Sequence, residues 1–463
     1  MTIKRINDLT IMTRKLLLLF TILLTALTSC DDFLDIEPTG KVIAKTAAEY
    51  REMLTDAYGQ FPRSAGLTTF RTDEFWMDRS ASTAEDLNAY LDIWLWNDNE
   101  FSDTSVEFDW RSYYHIIYIA NYLIAKQGEI TQGTKEEISQ MVGEAYMLRA
   151  YCHFQLANLY AQPYTHCQPG TALAVPLSLE PDVNAVLSRS SLDKVYSQVI
   201  ADAAEAESHL NVETWGEGLN YRFNKLSAKC LMARAYLYMG QYDKALETSE
   251  KILAEKNALQ DMSTLLPNHY KSVENIVALE YAMPTDYQKA GRVAPGFFAL
   301  YKNGDLRKSK YFKQQTASNI VLTKGGSNEY RCSFRIGEIC LTAAECAVRT
   351  GNIGKARERM HQMINARYQA TEAARQCEAF DKLEAAAALS EILSERAREL
   401  AFEGHRWFDL RRMETEQRPT ITHTFTQGSE TSSSTLTPDD ERYTLRIPAS
   451  AVNANPEGLG EVK

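Results

Sequence analysis

Residues 391 to 413, EILSERARELAFEGHRWFDLRRM, hold the densest set of side chains that could do chemistry in this 463-residue chain. Glu403, His405 and Arg406 fall together there, and a carboxylate, an imidazole and a guanidinium in one place could serve acid–base catalysis with charge stabilisation. The stretch also has a structural reading. Glu395 and Glu399 are four apart, as are Arg396 and Leu400, so charged and apolar stripes run side by side along one helix. Arginines and glutamates that satisfy each other where this helix crosses its neighbours account for the composition without a substrate, and this reading is preferred.

Searches for other chemistry return little. The sequence contains no H-E-x-x-H, G-x-S-x-G, G-x-x-x-x-G-K-[ST] or G-x-G-x-x-G, and Gly325-Gly326-Ser327 is too short for a phosphate cradle. His115, His153 and His361 fall in helical patterns, with no second ligand at metal spacing. Asp73 and Glu74 are adjacent carboxylates, but glycoside hydrolysis is defined by their separation in space. The expectation is a protein that is not an enzyme and uses no cofactor or metal.

The elements that would position these residues are mostly helical. Residues 228 to 255 read as two helices joined at Gly240-Gln241-Tyr242, with small residues at Ala233 and Ala245 allowing close approach. Residues 337 to 367 repeat the pattern with Ala344, Gly351, Ile353 and Ala356, at the same spacings of 7, 9 and 12 from the first alanine. This recurrence resembles a tetratricopeptide repeat. Residues 136 to 160 with 191 to 210, and 47 to 58 with 110 to 126, are two further hairpins broken by insertions, and four such pairs can share a core. Residues 61 to 109 and 281 to 335 are aromatic-rich and aperiodic. The Ser/Thr-rich stretch 420 to 437 reads as a mobile loop, after which residues 443 to 448 resume a strand-like pattern.

The N-terminus adds a processing signal. Residues 16 to 27 are apolar behind Lys4, Arg5, Arg14 and Lys15, a run too short to span a bilayer and suited to a secretory signal; Met12 is an alternative start. The run ends in Leu27-Thr28-Ser29-Cys30, which resembles a bacterial lipobox, with cleavage after residue 29 and lipid on Cys30. The net charge of −11 becomes −14 in the mature 434 residues, with 46 basic and 60 acidic groups. That balance argues against nucleic acid as partner and leaves membrane attachment to the lipid anchor alone. Cys152, Cys167, Cys230, Cys332, Cys340, Cys346 and Cys377 show no C-x-x-C pair, and those within helices read as packing.

The string ERARELAFEGHRWFDLRRM resembles the C-terminal signature of the SusD/RagB family, surface lipoproteins of Bacteroidetes nutrient uptake. The likeness extends to Cys30 through Asp35 with Pro38, to Trp110, Tyr113, Tyr114, Ile117 and Ala120-Asn121, and to Glu144-Ala145 with Arg149-Ala150-Tyr151. Arg335-Ile336-Gly337-Glu338, Ala343-Ala344-Glu345, Ile364 through Arg367, Ile447-Pro448 and Asn455-Pro456 complete it. The resemblance implies a mainly α fold: four tetratricopeptide-like helical hairpins packed against a variable, loop-rich region with a few short strands. After a signal at 1–29, residues 30–463 would form one domain, with the scaffold at 45–60, 110–160, 190–255, 336–367 and a C-terminal helix at 388–413. The ligand region would be 61–109 and 281–335. The resemblance also implies an outer-membrane, lipid-anchored protein facing the exterior, which passes oligosaccharide, or in some members peptide, to a TonB-dependent transporter of the SusC type. A glycoside hydrolase and a ligand-free repeat scaffold are the competing readings. The sequence after Arg367 departs from the family's usual ending, and the chain is somewhat short for the family.

Sugars present apolar CH faces and many hydroxyls, so their sites combine aromatic platforms with amide, carboxylate and guanidinium partners. Trp94, Trp96 and Asn97 supply that mixture, with Asp73 and Trp76 nearby in sequence; Tyr281, Tyr287 and Phe297 form a second set. Trp94 and Trp96 alternate as strand residues would, so only one of them is expected to face a ligand. Packing of the loop onto the scaffold is the alternative use of both.

Overall fold

Among the described residues the longer helices are, in chain order, α1 (Ala47–Gly59), α2 (Ala84–Trp94), α3 (Arg111–Lys126), α4 (Lys135–Tyr160), α5 (Leu192–His209) and α6 (Lys225–Tyr238). They continue with α7 (Tyr242–Glu255), α8 (Ile336–Arg349), α9 (Ile353–Arg367), α10 (Ala370–Asp381), α11 (Ala385–Glu399) and α12 (Arg406–Arg412). The structure is a computed structural model that describes residues 44–77, 84–98, 102, 104–427 and 429–460. Cys30, the signal before it and Phe101 lie outside these residues.

Sequence-encoded caps start several of these helices. Thr46 and Glu49 close a capping box on α1, Thr134 and Glu137 on α4, and Asn224 and Ser227 on α6, satisfying N–H groups that a helix leaves unpaired. The helices then pair as α1 with α3, α4 with α5, α6 with α7 and α8 with α9, and each pair packs on the next. Ala233, Ala245, Ala344 and Ala356 are wholly buried at the crossings. Gly240 and Gly351 end their helices at φ +70° and +79°, a left-handed conformation that a side chain resists. The four-hairpin scaffold is therefore present. Helix α4 lies at its centre, buried almost continuously from Gln140 onward, and Arg411 of α12 clamps its C-terminus by donating to the carbonyls of Asn158 and Ala161.

Among the described residues ten short strands form five antiparallel ribbons: β1 (Phe75–Met77) with β5 (Gly291–Val293), β2 (Leu173–Pro176) with β3 (Arg189–Ser191), and β4 (Asn275–Val277) with β8 (Phe334–Arg335). The others are β6 (Phe312–Gln314) with β7 (Ile320–Leu322), and β9 (Ile421–Gln427) with β10 (Glu430–Leu436). This corrects three expectations. The stretch at 420 to 437 is a hairpin: Ile421, His423 and Phe425 face inward, while Thr422 pairs with Thr435, Thr424 with Ser433 and Thr426 with Thr431 outside. Residues 443 to 448 are not a strand, since a 3₁₀ turn at Glu441–Tyr443 precedes them and irregular chain follows. The C-terminal helix at 388 to 413 is two helices, because Phe402 at φ +59° and Gly404 at φ +80° break it. Helix α10 fills the region after Arg367. All seven described cysteines are free, five of them buried.

A buried ion network joins scaffold to loops. The Glu399 carboxylate at the end of α11 takes Arg335 Nη1 at 2.7 Å, Arg367 Nε at 2.9 Å and Arg307 Nη1 at 3.0 Å. Glu274 shares Arg335 and Arg367, Glu403 takes Arg335 Nε at 2.8 Å together with Lys324, and Glu395 takes Arg307 at 2.6 Å. Arg307, Arg335 and Arg367 are at most 1% exposed. Gly337 makes room: a Cβ there would sit 2.2 Å from Arg335 Nη1 and 2.9 Å from Glu399 Oε1. A neighbouring cluster binds Arg396 to Asp409, and Arg412 to Asp409 and Glu345. The preferred reading of residues 391 to 413 thus holds.

Two predictions follow from burial. Glu399→Gln leaves three buried guanidiniums short of charge and should cost about 3–5 kcal/mol in chemical denaturation; unchanged stability would remove the network from its central place. Although burial opposes ionisation, Arg412 and then Arg349 hold Glu345 down to about 2. Its contribution is therefore present above the ordinary 4.5 and lost as pH falls toward 2, so a Glu345→Gln variant should lose less stability than the parent across that window.

Candidate functional site

The residues that suggested catalysis do not converge on open space. Arg406 forms a bidentate pair with Asp73, at 2.8 and 2.7 Å. Glu403 is taken by Arg335 and Lys324. His405 is buried, and burial with Arg234 and Arg396 pulls it well below the usual imidazole range. Glu403 and His405 line a cavity of about 20 Å³ with Glu280, Arg234, Tyr151 and Cys332. That is room for one water molecule. Among the described residues no group of His, Cys, Asp and Glu is arranged to hold a metal ion.

The aromatic residues divide by burial. Trp94 is the last residue of α2 and Trp96 sits at φ +53° in the turn behind it, so the strand-like alternation expected of them is absent. Both are 2% exposed and sandwich the His423 ring, with centroid separations of 3.5 and 4.1 Å. His423 Nδ1 meets the Trp94 carbonyl and Nε2 that of Thr72, yet burial outweighs both and pulls the ring down to about 4. Tyr287 packs edge-on to Phe70 and Tyr90, and Phe297 to Tyr301 and Phe402. These four aromatics hold the loops to the scaffold and offer no open platform. Of the others, Asp73 is engaged by Arg406, and Asn97 is exposed and donates to Asp92. Tyr281 is half-buried.

Trp76 stands apart. It is the outward residue of β1, half-buried, with an indole N–H that is sheltered and unpartnered. The antiparallel register sets Arg292 of β5 directly opposite it, where same-face side chains lie about 5 Å apart. Arg292 Nε donates to Asn319 Oδ1 at 2.9 Å and Nη1 to the Gly291 carbonyl at 2.8 Å. Asn319 immediately precedes β7, which packs beside β5. An aromatic face, a guanidinium and an amide therefore meet on one surface. Sequence reasoning singled out Trp76 but missed Arg292 and Asn319, because only strand pairing across a long sequence separation brings them together.

Glu74, next to Asp73, is 1% exposed and has no cation within salt-bridge distance among the described residues. Its Oε1 accepts the Phe402 N–H at 2.7 Å and its Oε2 the Thr72 hydroxyl at 3.2 Å. Burial, with Asp73 adding, pushes its carboxyl up to about 8. Asp73 and Glu74 are thus one half-buried carboxylate paired with arginine and one protonated acid inside the fold. Because folded Glu74 keeps a proton that the unfolded chain releases above about 4.5, it lowers stability as pH rises from 4.5 to 8, by up to about 1.4 kcal/mol per pH unit. Glu74→Gln should abolish that slope and exceed the parent's stability at pH 8 in denaturation at several pH values; an unchanged slope would contradict the assignment.

Comparison with known proteins bears on this geometry. A family model described as "Starch-binding associating with outer membrane" matches residues 32–237, and one described as "SusD family" matches residues 238–459. The SusD-like protein P38 of Formosa agariphila is 25% identical over 304 residues, 62% of this chain and 56% of that protein. The SusD-like protein P25 of the same organism is 22% identical, over 64% of this chain and 58% of its own length. The matched stretches thus span little more than half of these relatives. Among solved structures, a SusD superfamily protein from Bacteroides fragilis superposes with a TM-score of 0.73 at 22% identity, over 91% of this chain and all of that one. A laminarin-binding SusD-like protein superposes at 0.59 and 19% identity, over 79% of this chain and 91% of that one.

Proposed function

The chain belongs to the SusD/RagB family, and we propose that it is a non-catalytic cell-surface lipoprotein that captures oligosaccharide and delivers it to a SusC-like TonB-dependent transporter. The observation that carries the reading is the surface at Trp76, where an indole face lies beside Arg292 and Asn319. An indole can cover the apolar face of a pyranose while the guanidinium and amide address its hydroxyls. The laminarin-binding relative of like fold supports a glycan as the ligand class. Engagement of Glu403, Arg406 and Asp73 by one another's neighbours, and burial of Glu74, support binding without turnover.

Membrane attachment rests on Cys30. No helix among the described residues is long and apolar enough to cross a membrane, so the lipid carries the anchoring in this reading, with the scaffold helices available to the transporter. Replacing Cys30 by Ala should release the protein from the outer-membrane fraction and remove the acyl mass from its N-terminal peptide. Retention in the membrane fraction would overturn the anchor.

The test of function is a binding screen of the purified protein against oligosaccharides and peptides. Binding of a glycan recovered unchanged is expected, with Trp76→Ala weakening it about tenfold or more while circular dichroism and melting stay near the parent's. Release of shorter sugars would point to a hydrolase, and capture of peptides alone would transfer the role to peptide uptake.

A further inference from the structure

The surface around Trp76 has a sign. Residues 281 to 335 carry ten Lys or Arg against three Asp or Glu, in a chain whose net charge is −11. Three of those cations, Arg307, Lys324 and Arg335, are consumed by the buried network. Others remain on the outside. Along β1, β5 and β7 the burial alternates so that Trp76, Arg292 and Val321 face outward, and Lys313 of β6, exposed, stands opposite Val321 in the β6–β7 register. Lys289, also exposed, lies just before β5.

Among the described residues these groups have no carboxylate partner. Arg292 bonds only neutral acceptors, the Asn319 amide and the Gly291 carbonyl, and its Nη2 makes no hydrogen bond among the described residues. Lys289 and Lys313 make no ion pair there either. Residues 61 to 109 are acidic, with eleven Asp or Glu against three Arg. Their described carboxylates, however, are mostly occupied: Asp73 by Arg406, Asp98 by Arg71, Asp92 by Ser102 and Ser105, and Asp109 by the Ser112 N–H. Glu74 is buried. Glu107 is left to solvent.

A site for a neutral sugar needs acceptors for hydroxyl protons as well as donors, and usually mixes carboxylates with amides. A surface of unneutralised donors around an aromatic face fits a sugar that brings its own negative charge. Resting on the glycan-binding reading above, we infer that the ligand is an acidic glycan, one bearing uronate carboxylates or sulfate esters, whose anionic group meets Arg292 while a ring face lies on the indole. Lys289, two residues before β5, and Lys313, across from Val321 of β7, add positive charge to the same loop region. Arginine suits the task because its planar fork matches a carboxylate or sulfate edge-on.

The test compares probes of equal length with the purified protein in isothermal titration: oligogalacturonate for carboxylates, a sulfated galactan oligosaccharide for sulfate esters, and laminari-oligosaccharide as the neutral control. At least one anionic probe should bind about tenfold or more tightly than the neutral one, and its affinity should fall as sodium chloride is raised from low to high concentration. Lys313→Glu, at an exposed position, should weaken that binding severalfold without touching the melting curve, and Arg292→Ala about tenfold. Which anionic probe binds tells carboxylate from sulfate. Equal or tighter binding of the neutral probe, with no salt dependence and no effect of Lys313→Glu, would overturn the acidic-ligand inference while leaving glycan capture standing. Binding of none of the three would instead count against both.

Discussion

The carboxylate of Glu399 carries more of this structure than any other single group. Three guanidiniums, Arg307, Arg335 and Arg367, close on it inside the protein, and each comes from a different segment: a short turn of helix at Leu306–Lys310, the strand leading into α8, and the end of α9. Taking such charges out of water is costly, so the arrangement survives only because every guanidinium finds carboxylates in good geometry. That cost makes the network selective. A register slip or displaced loop would strand a full charge in the interior, whereas apolar packing would tolerate small shifts. The three-residue ribbons of the loop region are too short to be stable alone, and the network with its aromatic neighbours gives them a fixed seat on the helical scaffold.

Much of the scaffold was legible because its rules are local. The alanine, glycine and plug spacing of α6–α7 recurs in α8–α9, and helix crossing and left-handed termination impose those residue types directly. The self-satisfying character of residues 391 to 413 was readable for a related reason, since alternating Glu and Arg at helical spacing have no use for solvent on the buried side. The hairpin of β9 and β10 escaped because its strongest compositional signal, serine and threonine, belongs to the exposed face. Its inward residues Ile421, His423 and Phe425 are a period-two pattern diluted by hydroxyls. Trp94 and Trp96 were assigned to opposite faces of a strand, whereas a helix end and a left-handed residue turn both onto His423. No local pattern could join Trp76 to Arg292, because their contact exists only after β1 and β5 pair from distant parts of the chain.

The division between buried and exposed charge connects fold to function. Inside, most buried arginines are met by carboxylates, Arg411 by backbone carbonyls, and Glu74 by a proton. Outside, among the described residues, the ribbon at Trp76 holds donors without carboxylate partners beside a half-buried indole. The aromatic residues of the loop segments thus separate into buried rings that fix the loops, Trp94, Trp96, Tyr287 and Phe297, and half-buried ones, Trp76 among them. A rigid seat, an open indole and unneutralised cations together suit capture of a polar, flexible chain with little reorganisation of the protein on binding.

A crystal structure of the protein with an oligogalacturonate of four or more residues tests the central claim most directly. The account predicts a pyranose ring lying on Trp76, a carboxylate within hydrogen-bonding distance of Arg292 Nη2, and a Glu399 network unchanged beneath. A sugar bound away from Trp76, for instance in the crevice between α9, α10 and α11 beside Lys302 and Tyr368, would contradict it.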